Sequence, residues 1–436
     1  MPACDDAQAR EPLGPRTLVV WACAAIPLLL LLRLWQGDAY WEYSDGVYAL
    51  TGRLVLHGSD LYRDVAAAQP PPVYYAGAGI LAFGDSVAVL RAGLSVVALV
   101  TSLLVLLCVW RLTGSRPAAV IAGLLALVTP WALREHAQLV PETFAAPLVL
   151  GAALAGSRSG RGATVAGALA ALVVAFKLAF VLPALAVLLV ARHRGRALLA
   201  TAVVGGLLAV GFLLAFGGPL LDGAVRAQRQ TGTSGLHYVT GLWAQAGWNL
   251  VPLLACAALA WPVWRVAASQ DQRALLRTLA AAAAGSLLLL LTLFKHGSYL
   301  TVVLVAEPPL LCLAAAGVVA AVREGATGRL ALVGAAAMLA AVEVGSLLAS
   351  PADPSLFTRP LAASGPRWML SPTQVRQAVV VRRACPSGVA SSGPPYLAFA
   401  AGRRIAGDQP DQFIVANAAI LARFRRAAEL DQPRCP

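Results

Sequence analysis

Long unbroken runs of Ala, Leu and Val alternate with short polar stretches along this chain. They predict about eleven membrane-spanning helices, near 17–35, 87–110, 117–132, 142–156, 163–176, 178–192, 197–215, 248–265, 278–294, 299–322 and 329–348. Several are shorter than the ~20 residues of a typical span, and 163–192 also reads as one kinked unit around Lys177. Barrel strands would alternate apolar and polar residues, which these runs do not. The expectation is an all-α polytopic membrane protein. No small-residue cleavage site follows the first run, so it is expected to stay as an anchoring helix. Three polar segments exceed a turn: about 36–86, about 216–247, and a tail from about 350. Inside the first, Val73 to Phe83 is apolar but short and follows Pro70-Pro71-Pro72, so it is expected to lie in the membrane interface. The expected organisation is a transmembrane domain over 1–349, with a large first loop at 36–86, and a small tail domain over 350–436.

Composition narrows the class further. Of 436 residues, 59% are hydrophobic and only 13% charged, against about 25% charged in soluble domains. A soluble enzyme and a disordered chain are thereby excluded. The net charge of +13 would suggest nucleic acid in a soluble protein, but here the cations sort by loop. Arg111, Arg116, Arg158, Arg161, Arg192, Arg194 and Arg196 fall in one alternating set of loops, and Asp45, Asp60, Asp64, Asp85 and Glu142 in the other. The positive-inside rule then puts the N-terminus in the cytoplasm and the first loop and tail outside, with membrane lipid rather than nucleic acid as the partner. Cys385 and Cys435 are the only two cysteines in that tail, and cysteines in an oxidising compartment tend to pair. No cysteine or histidine spacing suits zinc.

Candidate chemistry concentrates on the outer side. The first loop gathers Asp45, Tyr48, Arg63, Asp64, Tyr74 and Tyr75 behind the first helix. Aromatic rings stack on sugar faces, and carboxylates accept hydroxyl hydrogen bonds or protons; an interfacial aromatic belt with solvated acids is the plainer reading. A second cluster holds His136 and Glu142, although a carboxylate that opens a helix also serves the helix dipole. Of the 34 basic residues only Lys177 and Lys295 are lysines, and both sit at the outer ends of apolar runs, the latter in Lys295-His296-Gly297-Ser298-Tyr299. One such lysine would simply snorkel to the headgroups. Two on the side of the acids favour a shared anionic ligand, and a lipid phosphate fits.

These pieces, in this order, resemble the GT-C superfamily of integral-membrane glycosyltransferases, notably the bacterial aminoarabinose–lipid A transferases and the protein O-mannosyltransferases. The elements that carry the likeness are Asp45, Gly58 to Asp64, Pro70 to Tyr75, Glu142, Lys177 in Ala-Phe-Lys-Leu, and Lys295 to Tyr299, with Pro395 to Arg404 in the tail. Ala68-Gln69 stands where the aminoarabinose transferases carry Glu-Lys, and the first loop has no Asp-x-Asp, so no divalent metal or other cofactor is expected. The resemblance implies a GT-C-like bundle in a bacterial plasma membrane. It also implies inverting transfer of a sugar from a polyprenyl-phosphate donor to a glycan, lipid or protein acceptor of the cell envelope, on the outer face. Asp45 would be the base, with Glu142 beside it as a second catalytic carboxylate. Lys177, Lys295 and Arg63 would hold the donor phosphate. Tyr48, Asp64, Tyr74, Tyr75, His136, His296 and Tyr299 would contact substrate. A polyprenyl-lipid transporter or flippase, or a glycan ligase, would show similar helices and cations.

Overall fold

The computed structural model describes residues 13–36, 43–258, 269–323, 372–386, 389–391, 393–431 and 435. Among them the regular structure is helical, with only isolated β-bridges. The apolar runs become α1 (Pro15–Gln36), α4 (Val87–Thr113), α5 (Arg116–Val128), α7 (Pro141–Gly156), α8 (Arg161–Phe176), α9 (Val181–Val190), α10 (Arg194–Phe216), α11 (Leu236–Ala258), α12 (Gln270–Leu287) and α13 (Val303–Arg323). The expected run at 329–348 and the end of the one at 248–265 lie outside the described residues. Helix α11 starts well before 248, because His237, Thr240 and Gln245 interrupt the apolar run without breaking the helix.

Local signals set several boundaries. Ser86 accepts a hydrogen bond from the Val89 N–H to cap α4, and Gly114 in the left-handed region ends it. Ser269 and Gln272 form a capping box on α12. Among the described residues, five stretches are long and apolar enough to cross a membrane: Pro15–Leu34, Val87–Thr113, Arg194–Phe216, Gln270–Phe294 and Leu300–Val322. The last has 83% of its apolar window buried and forms the centre of the bundle, whereas Arg194–Phe216 has 6% and lies on its outside. Helices α5, α7, α8 and α9 are shorter apolar helices of the same bundle.

The first loop is more ordered than its polar composition predicts. It folds into α2 (Tyr43–Leu56) and α3 (Pro72–Leu81), packed on each other, so Asp45 lies in the first turn of a helix and not in a loop. The apolar stretch from Val73 to Phe83 forms α3 as far as Leu81. A short helix, α6 (Pro130–Glu135), connects α5 to the turn before α7. The tail contributes α14 (Pro372–Ala384), α15 (Pro395–Ala401), α16 (Gln412–Asn417) and α17 (Ala422–Leu430). Helix α15 lies against α2 so closely that a Cβ on Gly46 would collide with the Tyr396 backbone nitrogen. Ala398, Phe399 and Ile405 of the tail share one apolar core with Tyr48, Leu61, Tyr74 and Leu139. Gln409 donates to the Asp64 carbonyl and accepts from the Ala66 N–H, both at 2.8 Å. The structure pairs Cys385 with Cys435, Cα atoms 6.0 Å apart.

Candidate functional site

Both lysines sit where a helix is broken. Helix α8 stops at Phe176 because Lys177 is extended (φ −159°, ψ 127°), and a 3₁₀ turn at Leu178–Phe180 leads into α9. A 3₁₀ stretch, Leu288–Phe294, follows α12, then Lys295 turns extended and Gly297 takes φ +80°. Non-helical backbone next to a membrane span is tolerated where it lines a polar cavity. Here both breaks border one cavity of about 390 Å³, within the roughly 300–1,000 Å³ of small-molecule sites. Its polar wall includes Glu142, Lys177, Lys295, Arg229 and Asp411, with the hydroxyls of Tyr43, Ser44, Tyr48 and Tyr299.

Glu142 occupies the first turn of α7, behind Pro141, where the helix dipole favours a carboxylate. Lys177 Nζ lies 2.7 Å from its Oε1, with 22% of the lysine side chain exposed and 1% of the glutamate's. Lys177 also stands 5.7 Å from the Phe180 ring centroid, a cation–π contact. Burial, and then the Lys177 charge, lower the Lys295 pKa to about 8, with Asp411 opposing. The two ammonium groups therefore feel each other across the cavity, an unfavourable arrangement that an arriving anion relieves.

The sequence singles out more residues than the cavity gathers. Glu142, Lys177, Lys295, Tyr48 and Tyr299 line it. Asp45 does not. Its oxygens receive Arg91 Nη1 at 3.0 Å and Nη2 at 2.6 Å, and the Leu139 N–H at 2.7 Å. Arg91 also donates to the Ala137 carbonyl and faces the Tyr396 ring. Asp45 thus clamps α2 to α4, to the turn before α7 and, through Arg91, to the tail. Arg63 is solvent-exposed beside Asp60 at 3.8 Å, and the Asp64 carboxylate caps its own turn by accepting from the Asp60 N–H. Tyr74 is fully buried, its hydroxyl accepting from the Ala68 and Gln69 N–H groups. Tyr75 turns outward against Phe216. His136 is buried next to Thr129 and Glu307, and burial lowers its pKa to about 3. His296 stands edge-on to Phe413 rather than in the cavity wall.

Asp411, Phe413, Tyr43 and Arg229 are among the cavity residues that sequence reasoning missed. Asp411 belongs to no pattern that points inward, since only folding of the tail onto α2 brings it there. Arg91 was missed too, although a signal for it exists: a cation within an apolar run requires a partner. Among the described residues no group of three His, Cys, Asp or Glu side chains is placed to hold a metal ion.

No protein-family model matches the sequence, and no curated protein matches it. Solved structures do. The crystal structure of ArnT from Cupriavidus metallidurans bound to undecaprenyl phosphate superposes with a TM-score of 0.61 at 12% identity, covering 93% of this chain and 88% of that one. The apo state of the same protein gives the same TM-score, 0.61. The chain therefore shares the overall fold of ArnT over nearly its whole length.

Proposed function

We propose that this protein is an integral-membrane glycosyltransferase. It takes a sugar from a polyprenyl-phosphate donor and passes it, with inversion, to a hydroxyl of a cell-envelope acceptor on the outer face of the membrane. The observation that carries this reading is the meeting of the chain's only two lysines at one cavity, each at a helix break. The ArnT fold, in a protein crystallised with undecaprenyl phosphate, supports the same ligand class. In transfer the bond between the anomeric carbon and the phosphate oxygen breaks, and charge grows on that oxygen. Lys177 and Lys295 stabilise it as point charges, with Arg229 at the rim. Tyr48 and Tyr299 offer rings and hydroxyls to the sugar. Asp45 acts at one remove, by fixing the start of α2, which carries Tyr43, Ser44 and Tyr48 into the wall.

The test is binding of polyprenyl phosphate to the purified protein, followed by native mass spectrometry or tryptophan fluorescence. Lys295→Met is expected to weaken binding by ten- to a hundredfold, about 1.4–2.8 kcal/mol. Unchanged affinity in Lys295→Met and Lys177→Met would return both lysines to the membrane surface and end this reading.

A further inference from the structure

Two carboxylates line the cavity, Glu142 and Asp411. Glu142 is already engaged by Lys177 at 2.7 Å and is 1% exposed, so protonating it strands a cation. Asp411 differs. Its Oδ1 accepts the Ile414 N–H at 3.1 Å, which holds the carboxylate at the start of α16. Its Oδ2 has no hydrogen-bond partner among the described residues, and the side chain is half-buried in the cavity wall. We propose that Asp411, supplied by the C-terminal tail, is the general base that takes the proton of the acceptor hydroxyl. This rests on the transferase reading above.

Three residues keep the segment around Asp411 in place. The Tyr43 hydroxyl donates to the Pro410 carbonyl at 3.2 Å and accepts from the Phe413 N–H at 3.3 Å. Gln409 is tied on both sides to the first loop. Phe413 packs so tightly on the Lys295–Tyr299 turn that a Cβ on Gly297 would come 2.6 Å from its ring. Asp411 and Lys295 are therefore positioned by one and the same turn. The surroundings suit a proton acceptor near neutral pH. Burial raises the Asp411 pKa to about 6, with the Ile414 N–H and Lys295 pulling it down. The tyrosines Tyr43 and Tyr74 also face it, and each is raised by burial and by the Asp411 charge. Lys177 and Glu142 stand in the same cavity wall, and Arg229 at its rim.

The step balances without a further reactant. The acceptor oxygen forms its bond to the anomeric carbon as its proton passes to Asp411 Oδ2. The electron pair of the breaking carbon–oxygen bond leaves on polyprenyl phosphate, next to Lys177 and Lys295. The tail is then part of the catalytic unit.

The experiment uses the full chain in nanodiscs with radiolabelled polyprenyl-phosphate hexoses and pentoses, scored for label in an envelope fraction, and unglycosylated polyprenyl phosphate as the binding probe. Asp411→Asn and Asp411→Ser both keep an acceptor for the Ile414 N–H and remove the carboxylate. Each is expected to lose roughly 10²–10⁴-fold in transfer while binding polyprenyl phosphate as the wild type does. Transfer within threefold of wild type in either variant overturns the assignment of the base and leaves the transferase reading intact. Loss of lipid binding in both variants, in step with transfer, makes Asp411 a structural residue and also overturns it. A wild-type protein that binds no polyprenyl phosphate, or moves none of the labelled sugars, overturns both.

Discussion

Asp45→Asn separates a base from a brace. Asp45 is 1% exposed and Arg91 12%, and their bidentate contact closes at 2.6 and 3.0 Å. Asparagine keeps one acceptor oxygen, enough for the Leu139 N–H, but leaves the guanidinium charged and without its counter-ion. Breaking a buried ion pair from one side costs about 3–5 kcal/mol, a large share of the roughly 5–15 kcal/mol that separates folded from unfolded states. Asp45→Leu with Arg91→Met removes the stranded charge. The double variant still loses the acceptor of the Leu139 N–H, about 1–3 kcal/mol, so it is expected to melt below wild type but above Asp45→Asn. Thermal melting in one detergent, across wild type, Asp45→Asn, Asp45→Leu, Arg91→Met and the double, measures the coupling. The double variant is also expected to regain part of its polyprenyl-phosphate binding, since α2 returns to place. If Asp45→Asn melted with the wild type yet lost transfer, Asp45 would be the proton acceptor and the brace argument would be refuted. Strictly additive losses across the cycle would refute it as well.

Five further outcomes follow from the geometry. Transfer is expected to rise with pH up to about 6 as Asp411 loses its proton, and to fall above about 8 as Lys295 loses its charge; a flat profile across that window would reject both assignments. Lys177→Met leaves Glu142, 1% exposed, without its cation, and is expected to cost about 3–5 kcal/mol of stability. Lys295→Met relieves repulsion and should melt no lower than wild type, which calorimetry compares. Gly297→Ala meets both a φ of +80° and the Phe413 ring at 2.6 Å; it is expected to loosen the tail, read as faster trypsin cleavage at tail arginines, and equal cleavage rates would count against the docking. Cys385→Ser opens a link between residues 50 apart and is expected to destabilise the tail by roughly 2–4 kcal/mol; a melting curve unmoved by both the substitution and reductant would contradict it.

The apolar pattern determined by itself that the chain is a helical membrane protein, and roughly where its helices lie, because twenty-odd apolar residues have few other stable states in a bilayer. It also marked Lys177, Lys295 and Glu142, since ionisable groups at the ends of apolar runs are costly unless they are used. Which side chains meet was a matter of three-dimensional packing. Asp45 looked solvated in a polar loop, but α2 turned it inward onto Arg91, forty-six residues away. Tyr74, read as a sugar platform, was taken up by the backbone of Ala68 and Gln69. Asp411 entered the cavity wall only because Gln409, Tyr43 and Phe413 dock the tail against the first loop and the Lys295 turn. Hydropathy reports the partition of each segment between lipid and water. Contacts between polar segments several hundred residues apart leave no trace in it, because they depend on shape and hydrogen-bond geometry that exist only after the bundle has formed.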